Sequence, residues 1–203
     1  MAAAVDGPPV EKLAVEGLAV EGLTCSRGER VLFEGLTFAV PPGGVGLVRG
    51  PNGSGKTTLL RVVAGLAPAE RGTIRMPGAL HHCGHAPASK PALTVRAHLR
   101  FLQDLLGGPT NEAVERLRLR PLLDLPAGVL SAGQRQRVAL ARLLVAPCPL
   151  WLLDEPTAAL DDANTALVGA LLDEHARSGG VALVATHRTV RLRAQSVPVD
   201  LGR

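Results

Sequence analysis

The chain has 203 residues, enough for one substantial core or one domain with an inserted subdomain. Hydrophobic residues make up 46%, which excludes the disordered class, and with no Tyr and a single Trp the core has to be aliphatic. The net charge of +4 comes from scattered Arg nearly balanced by acids, without aromatics for bases to stack on, which argues against nucleic acid as the partner. Three cysteines, Cys25, Cys83 and Cys148, are odd in number and form no C-x-x-C pair, so neither a disulfide framework nor a structural zinc site is expected, and a reducing compartment fits. The best apolar stretch, residues 143–153, is too short for a membrane span and is broken by Pro147 and Pro149. The N-terminal residues lack the basic and apolar regions of a signal peptide. The expectation is a soluble chain, for which any membrane role has to come through a partner.

Residues 1–12 read as a flexible tail and residues 13–203 as one domain. A tandem pentad, Leu13-Ala-Val-Glu-Gly17 and Leu18-Ala-Val-Glu-Gly22, has too few copies for a solenoid; it reads as a local duplication whose second copy forms the first strand. Residues 36–40 and 45–49 are strand candidates by their apolar and β-branched content. The second feeds a Gly-rich loop, after which residues 56–64 read as a helix stopped by Gly65. Residues 73–76 and 80–83 are short strand candidates. Thr94 is placed to cap a helix running to residue 106, and Asn111 another running through residue 119. With residues 134–145, a helix that stops before Pro147, these define a small helical subdomain inserted over roughly residues 87–145. Residues 150–153 are wholly apolar, as in a parallel sheet covered on both faces. Asp161 or Asp162 starts a helix ending near Ser178, and residues 181–185 form a second buried strand that delivers His187 at its carboxyl end. Such alternation predicts an α/β fold with reactive residues just beyond strand ends.

Four short stretches carry the chemistry. The loop Gly50-Pro51-Asn52-Gly53-Ser54-Gly55-Lys56-Thr57-Thr58 fits G-x-x-x-x-G-K-[ST], in which glycines let successive N–H groups point at phosphate oxygens at a helix N-terminus. Lys56 supplies a positive charge to the β- and γ-phosphates, and the Thr57 hydroxyl suits one coordination position of Mg²⁺. Asp154 ends an apolar strand, where its carboxylate suits a second position around Mg²⁺ or its water. Glu155, directly after it, is the natural general base for an attacking water. The third stretch, Leu130-Ser131-Ala132-Gly133-Gln134, resembles the signature of ATP-binding cassette (ABC) ATPases. A lone histidine is more often structural, but His187 after its strand matches the switch histidine of that family, which the resemblance implies contacts the γ-phosphate.

With that order of motifs, the chain resembles the nucleotide-binding subunit of an ABC transporter over nearly its whole length. The resemblance implies a P-loop ABC-ATPase fold: a mainly parallel sheet, an N-terminal antiparallel β portion and a small helical subdomain. It implies ATP and Mg²⁺ as ligands, and a head-to-tail homodimer sandwiching two ATP, in which Ser131, Ala132, Gly133 and Gln134 face the nucleotide held by the other subunit. Asp161, in Ala159-Leu160-Asp161, matches the D-loop that runs across that interface. Arg27 stands where many members place an aromatic on adenine, and its guanidinium plane can also stack on a base. Ala86 stands where a Gln is usual, with His85 beside it as a substitute, and Ala132 replaces a commoner Gly, which removes freedom for positive φ.

Further segments narrow the resemblance. Leu23-Thr-Cys25-Ser-Arg27-Gly-Glu-Arg30, Gly84-His85 followed by Lys90 and Leu93-Thr94, and Val138-Ala-Leu-Ala-Arg142 are similar to the haem-export ATP-binding subunits of the Ccm system for c-type cytochrome biogenesis. That implies integral-membrane partner subunits and a peripheral position on the cytoplasmic face of the bacterial inner membrane. An ABC ATPase for another cargo, or a soluble ABC protein of translation or repair, are the alternatives; the latter usually carry paired cassettes or coiled-coil insertions, and this chain has one cassette and no heptad run. A small-molecule P-loop kinase is argued against by the signature. His81, Cys83 and His85 share one face of an alternating strand and invite a metal or haem reading, although sheet packing is the simpler use.

Overall fold

The computed structural model describes residues 10–11, 17–84 and 90–202. Most of the expected N-terminal tail, the first pentad copy except Gly17, and His85 and Ala86 therefore lie outside the described residues.

Two sheets share the strands. Strands β1 (Val10–Glu11), β2 (Leu18–Arg27), β3 (Arg30–Val40) and β5 (Arg71–Arg75) form a sheet of order β1-β5-β2-β3, antiparallel except for β1 on β5. Val10 and Glu11 thus pair with Ile74 and Arg75 inside what the sequence suggested was tail. Strand β3 starts at Arg30, six residues before the expected start, because Gly35 at φ 62° bulges the strand and hides its alternation. Gly28 at φ 63° opens the two-residue turn joining β2 to β3, a position where a Cβ would be strained.

The second sheet is wholly parallel, with order β6-β7-β8-β4-β9: β6 (Leu80–Cys83), β7 (Leu150–Asp154), β8 (Val181–Ala185), β4 (Gly44–Arg49) and β9 (Gln195–Asp200). Sequence reading missed β9, which has no apolar run and contains Pro198. Its place at the sheet edge explains how the proline is tolerated.

The apolar strands β7 and β8 divide their side chains between two cores. Leu150, Leu152, Val181 and Leu183 face helix α1 (Lys56–Val63), through Leu59, Leu60 and Val63, together with the antiparallel sheet. Trp151, Leu153, Ala182 and Val184 face the other way, onto helix α6 (Asp162–Arg177) and the helices that lie between β6 and β7. Those are α2 (Val95–Leu106), α3 (Asn111–Arg116), α4 (Ala132–Leu140) and α5 (Arg142–Val145). Every one of these strand residues is buried, so a Leu→Ala change at Leu152 or Leu183 is expected to cost about 2–5 kcal/mol.

Three helix boundaries differ from expectation. Thr94 caps α2 as its spacing predicts, its hydroxyl accepting the Ala97 N–H at 3.2 Å. Helix α3 starts at Asn111 itself, after a Thr110 whose side chain makes no capping bond, and stops at Arg116 because Arg118 adopts φ 52°. The single helix expected over residues 134–145 begins two residues earlier and divides at Ala141, whose N–H reaches back only to the Val138 carbonyl. At the far end of the chain, the Leu201 N–H donates to the Arg49 carbonyl at 2.8 Å, and Leu201 lies against Gly50.

Candidate functional site

The parallel register sets the site. Val48 pairs with Ala185, and Ala185 with Asp154, so β4, β8 and β7 end side by side at one edge of the sheet. The residues that follow (the P-loop after β4, Glu155 after β7 and His187 after β8) therefore emerge next to one another. They line a cleft of about 540 Å³ that also includes Arg27, Leu32, Asn52, Gly53, Gly55, Thr58 and Ala158.

The loop itself is shaped by positive φ at Gly50 (149°), Gly53 (79°) and Gly55 (101°). A Cβ on Gly55 would also sit 3.1 Å from Leu32. Gly55 caps α1 without a side chain, so the free N–H groups of that helix face the cleft. Lys56 is 8% exposed, and its ammonium donates to the carbonyls of Gly50 (2.8 Å) and Pro51 (3.0 Å). Two of its three donors are used in this way, which fixes the charge over the loop and leaves one N–H for a ligand. Ser54 is buried, and its hydroxyl has no hydrogen-bond partner among the described residues.

The Thr57 hydroxyl donates to Asp154 Oδ2 at 2.8 Å, across 97 residues of sequence. Glu155 takes a left-handed backbone (φ 51°), anchored by its N–H to the Ala185 carbonyl at 2.7 Å. A β-carbon at such φ costs about 1 kcal/mol or more, which the β7–β8 framework overrides. The turn aims the Glu155 side chain, 12% exposed, at the His187 loop. The His187 backbone N–H donates to Oε2 at 3.3 Å, while His187 Nε2 stands 3.4 Å from Oε1, a contact without hydrogen-bond alignment that leaves Oε1 unpartnered among the described residues. The His187 ring is half exposed towards the cleft.

The signature residues lie elsewhere. None of Ser131, Ala132, Gly133 and Gln134 lines the cleft. Ser131 and Gln134 form a capping box at the start of α4: the Gln134 N–H donates to Ser131 Oγ (3.2 Å) and the Ser131 N–H to Gln134 Oε1 (2.8 Å). The Ser-x-x-Gln spacing is thus a structural requirement of the helix start. Ala132 is the first helical residue and has no positive φ, so the missing glycine costs nothing here. Asp161 caps α6, accepting the Asn164 N–H at 2.8 Å; that bond pulls its carboxyl below the usual range.

His81 and Cys83 are buried among other contacts. His81 Nε2 faces the Ala146 carbonyl at 3.1 Å, and burial pushes the Cys83 thiol up to about 12. Among the described residues no group of three His, Cys, Asp or Glu is placed to hold a metal ion, and His85 lies outside them. Sequence reasoning missed Leu32 and Ala158 as cleft walls, and it missed Arg188 beside His187; none of these belongs to a motif.

A phosphate-binding loop, two consecutive carboxylates and a histidine at one sheet edge define a P-loop ATPase. The family model described as ABC transporter matches residues 33–158, and the chain belongs to that family, as one of its ATP-binding, ATP-hydrolysing subunits. It is similar to the cytochrome c biogenesis ATP-binding export protein CcmA of Paracoccus denitrificans, 48% identical over 182 residues, covering 89% of this chain and 86% of that one. The protein of the same name from Methylococcus capsulatus is 43% identical over 197 residues, covering 89% and 95%. In fold the chain matches the solved ATP-binding subunit of an ABC transporter (TM-score 0.76, 24% identity, 84% of this chain and 79% of that). It also matches an ATP-binding cassette in its ADP conformation (TM-score 0.70, 24% identity, 85% and 82%). Among the described residues no helix is long and apolar enough to cross a membrane.

Proposed function

We propose that this subunit powers the haem-handling export step of c-type cytochrome biogenesis. On this reading it docks on integral-membrane Ccm subunits at the cytoplasmic face of the bacterial inner membrane. The likeness to relatives named for that process, over nearly nine-tenths of the chain, is the observation that carries the reading.

The chemistry divides among the cleft residues. The P-loop N–H groups and Lys56 hold the phosphate chain, and Arg27 with Leu32 form the wall where the base would lie. The donor set at Thr57 and Asp154, a hydroxyl and a carboxylate in contact, fits a hard dication such as Mg²⁺. Bound there, Mg²⁺ would neutralise charge on the phosphate oxygens. Glu155 takes a proton from water as the water oxygen bonds to the γ-phosphorus and the bond from that phosphorus to the β–γ bridging oxygen breaks, giving ADP and phosphate. His187 touches the γ-phosphate and holds Glu155 in position through its own N–H.

The position of Ser131 and Gly133 outside the cleft supports a head-to-tail homodimer with two ATP at its interface, each signature completing the other subunit's site. Residues 87–145 act in this reading as the helical subdomain that carries the signature.

The test is replacement of the corresponding subunit in a bacterium that depends on it for c-type cytochromes. The wild-type chain should restore mature cytochrome and co-purify with the membrane subunits, and the Glu155→Gln chain should co-purify without restoring it. A chain that hydrolyses ATP yet neither binds those subunits nor restores cytochrome would overturn the assignment of process.

A further inference from the structure

We propose that Arg188 is a positioning residue: its guanidinium clasps the loop of residues 156–161 to the His187 turn, so that the γ-phosphate contact in one site and the signature offered to the other move as one unit. The proposal deepens the head-to-tail reading and rests on it.

Three observations meet in this loop. Ala159 holds φ 58° without being glycine, a conformation that persists only where its surroundings impose it. On one side lies α4. The Gln136 side chain, itself buried, donates to the Pro156 carbonyl at 3.2 Å, and Gly133 sits so close that a Cβ there would stand 2.7 Å from the Ala159 carbonyl oxygen. A displacement of the Ala159 peptide therefore meets the signature backbone directly.

On the other side lies the His187 turn. Arg188 Nη1 donates to the carbonyls of Thr157 (3.3 Å) and Leu160, the two residues that bracket the Ala158–Ala159 bend, and Nη2 reaches Asp162 Oδ1 at 3.4 Å. A second stitch runs through hydroxyls. Thr157 Oγ1 lies 3.3 Å from Thr186 Oγ1, which also accepts the Arg188 N–H at 3.1 Å. Both residues flanking His187 are thus fastened to the loop, and the loop to Gly133.

The arms of the clasp are unequal. The Asp162 carboxylate is fully exposed and its ion pair contributes little, so the carbonyl contacts carry the effect. A planar fork can serve two carbonyls and a carboxylate together, whereas a lysine ammonium on a flexible stem cannot hold that geometry. Arg188 is absent from the wall of the main cleft, so its removal leaves the phosphate-binding atoms intact.

The experiment compares Arg188→Ala, Arg188→Lys and Asp162→Ala by equilibrium ATP binding, steady-state turnover, thermal melting and ATP-driven dimerisation in a Glu155→Gln parent. For Arg188→Ala we expect ATP affinity within about twofold of wild type, kcat and dimer affinity each down about tenfold, and loss of cooperativity between the sites. Arg188→Lys should recover less than half of the loss, and Asp162→Ala should behave like wild type. A role confined to stability would shift the melting temperature and leave cooperativity alone, which overturns the proposal. So would unchanged dimerisation and turnover in Arg188→Ala, a loss of ATP affinity itself, or an Asp162→Ala defect as large as that of Arg188→Ala. If the Glu155→Gln parent fails to dimerise with ATP, the head-to-tail reading falls and takes the clasp with it; if the parent dimerises and only the Arg188 result is null, the clasp alone falls.

Discussion

Trp151 and His175 lie stacked, their ring centroids 3.9 Å apart and their planes 6° from parallel, joining β7 to α6 on the face of the sheet that carries the helices between β6 and β7. Gly180 lies against the imidazole too, since a Cβ there would fall 2.2 Å from the ring. Burial pushes the His175 imidazole below its ordinary value of 6.5, against the Val181 carbonyl, which favours the charged form. His81 and His82 are also lowered, again chiefly by burial.

The sign of the resulting pH dependence is fixed by linkage. Between the lowered folded values and about 6.5 the unfolded chain binds more protons than the folded one, so stability is intact above that pH and falls as acid is added. The urea midpoint, followed through the single tryptophan, should be lower at pH 5.5 than at pH 7.5. His175→Phe, which keeps a flat ring against Trp151, should show a shallower dependence. An equal dependence in both proteins would assign the effect to the other two histidines.

Glu155→Gln should keep ATP binding, lower turnover by at least about 10²-fold and accumulate a nucleotide-bound dimer, because an amide cannot accept the water proton. Turnover within tenfold of wild type would show that Glu155 is not the base. Lys56→Ala should instead lose nucleotide affinity, and it should also loosen the loop, since the ammonium tethers Gly50 and Pro51. Undiminished ATP binding by equilibrium titration would contradict the role given to the loop.

Arg27 sits on the cleft wall beside Leu32, at the open end of the β2–β3 turn. Arg27→Ala should weaken ATP binding by about 1 kcal/mol, roughly fivefold, and Arg27→Tyr should largely restore it, as a planar group on the adenine would require. Equal affinities in all three proteins would remove Arg27 from the nucleotide site.

Gly133→Ala places a methyl against the Ala159 carbonyl and should cost about 1–3 kcal/mol of stability through overpacking. Ala132→Gly, at an exposed helical position, should cost at most about 1 kcal/mol. The two neighbouring substitutions therefore separate the packing role of the signature from its sequence pattern. Thermal melting of the pair checks the difference.

The cleft was legible in the sequence because its residues need particular backbones. Gly50, Gly53 and Gly55 announce positive φ, and Asp154-Glu155 follows an apolar strand that only a covered parallel sheet tolerates. Contacts made through main-chain carbonyls left no such trace: nothing in the sequence around Arg188 points to Thr157 or Leu160, because any residue supplies a carbonyl. Strand β9 was hidden for a related reason. An edge strand is held by its ladder to β4, and Gln195, Ser196 and Pro198 have no inward apolar pattern to display. The bulges at Gly22 and Gly35 shifted the alternation of β2 and β3 and disguised two long strands as short ones.

The contact of Leu201 with Arg49 and Gly50 has a practical side. Gly202 also lies against the loop, a Cβ there falling 3.4 Å from Pro51, so an affinity tag or fluorescent reporter fused at that end is expected to crowd the nucleotide entrance and distort binding measurements. Bulky fusions belong at the other terminus. The same proximity makes a small dye attached after residue 202 a short-range sensor of loop movement when ATP enters.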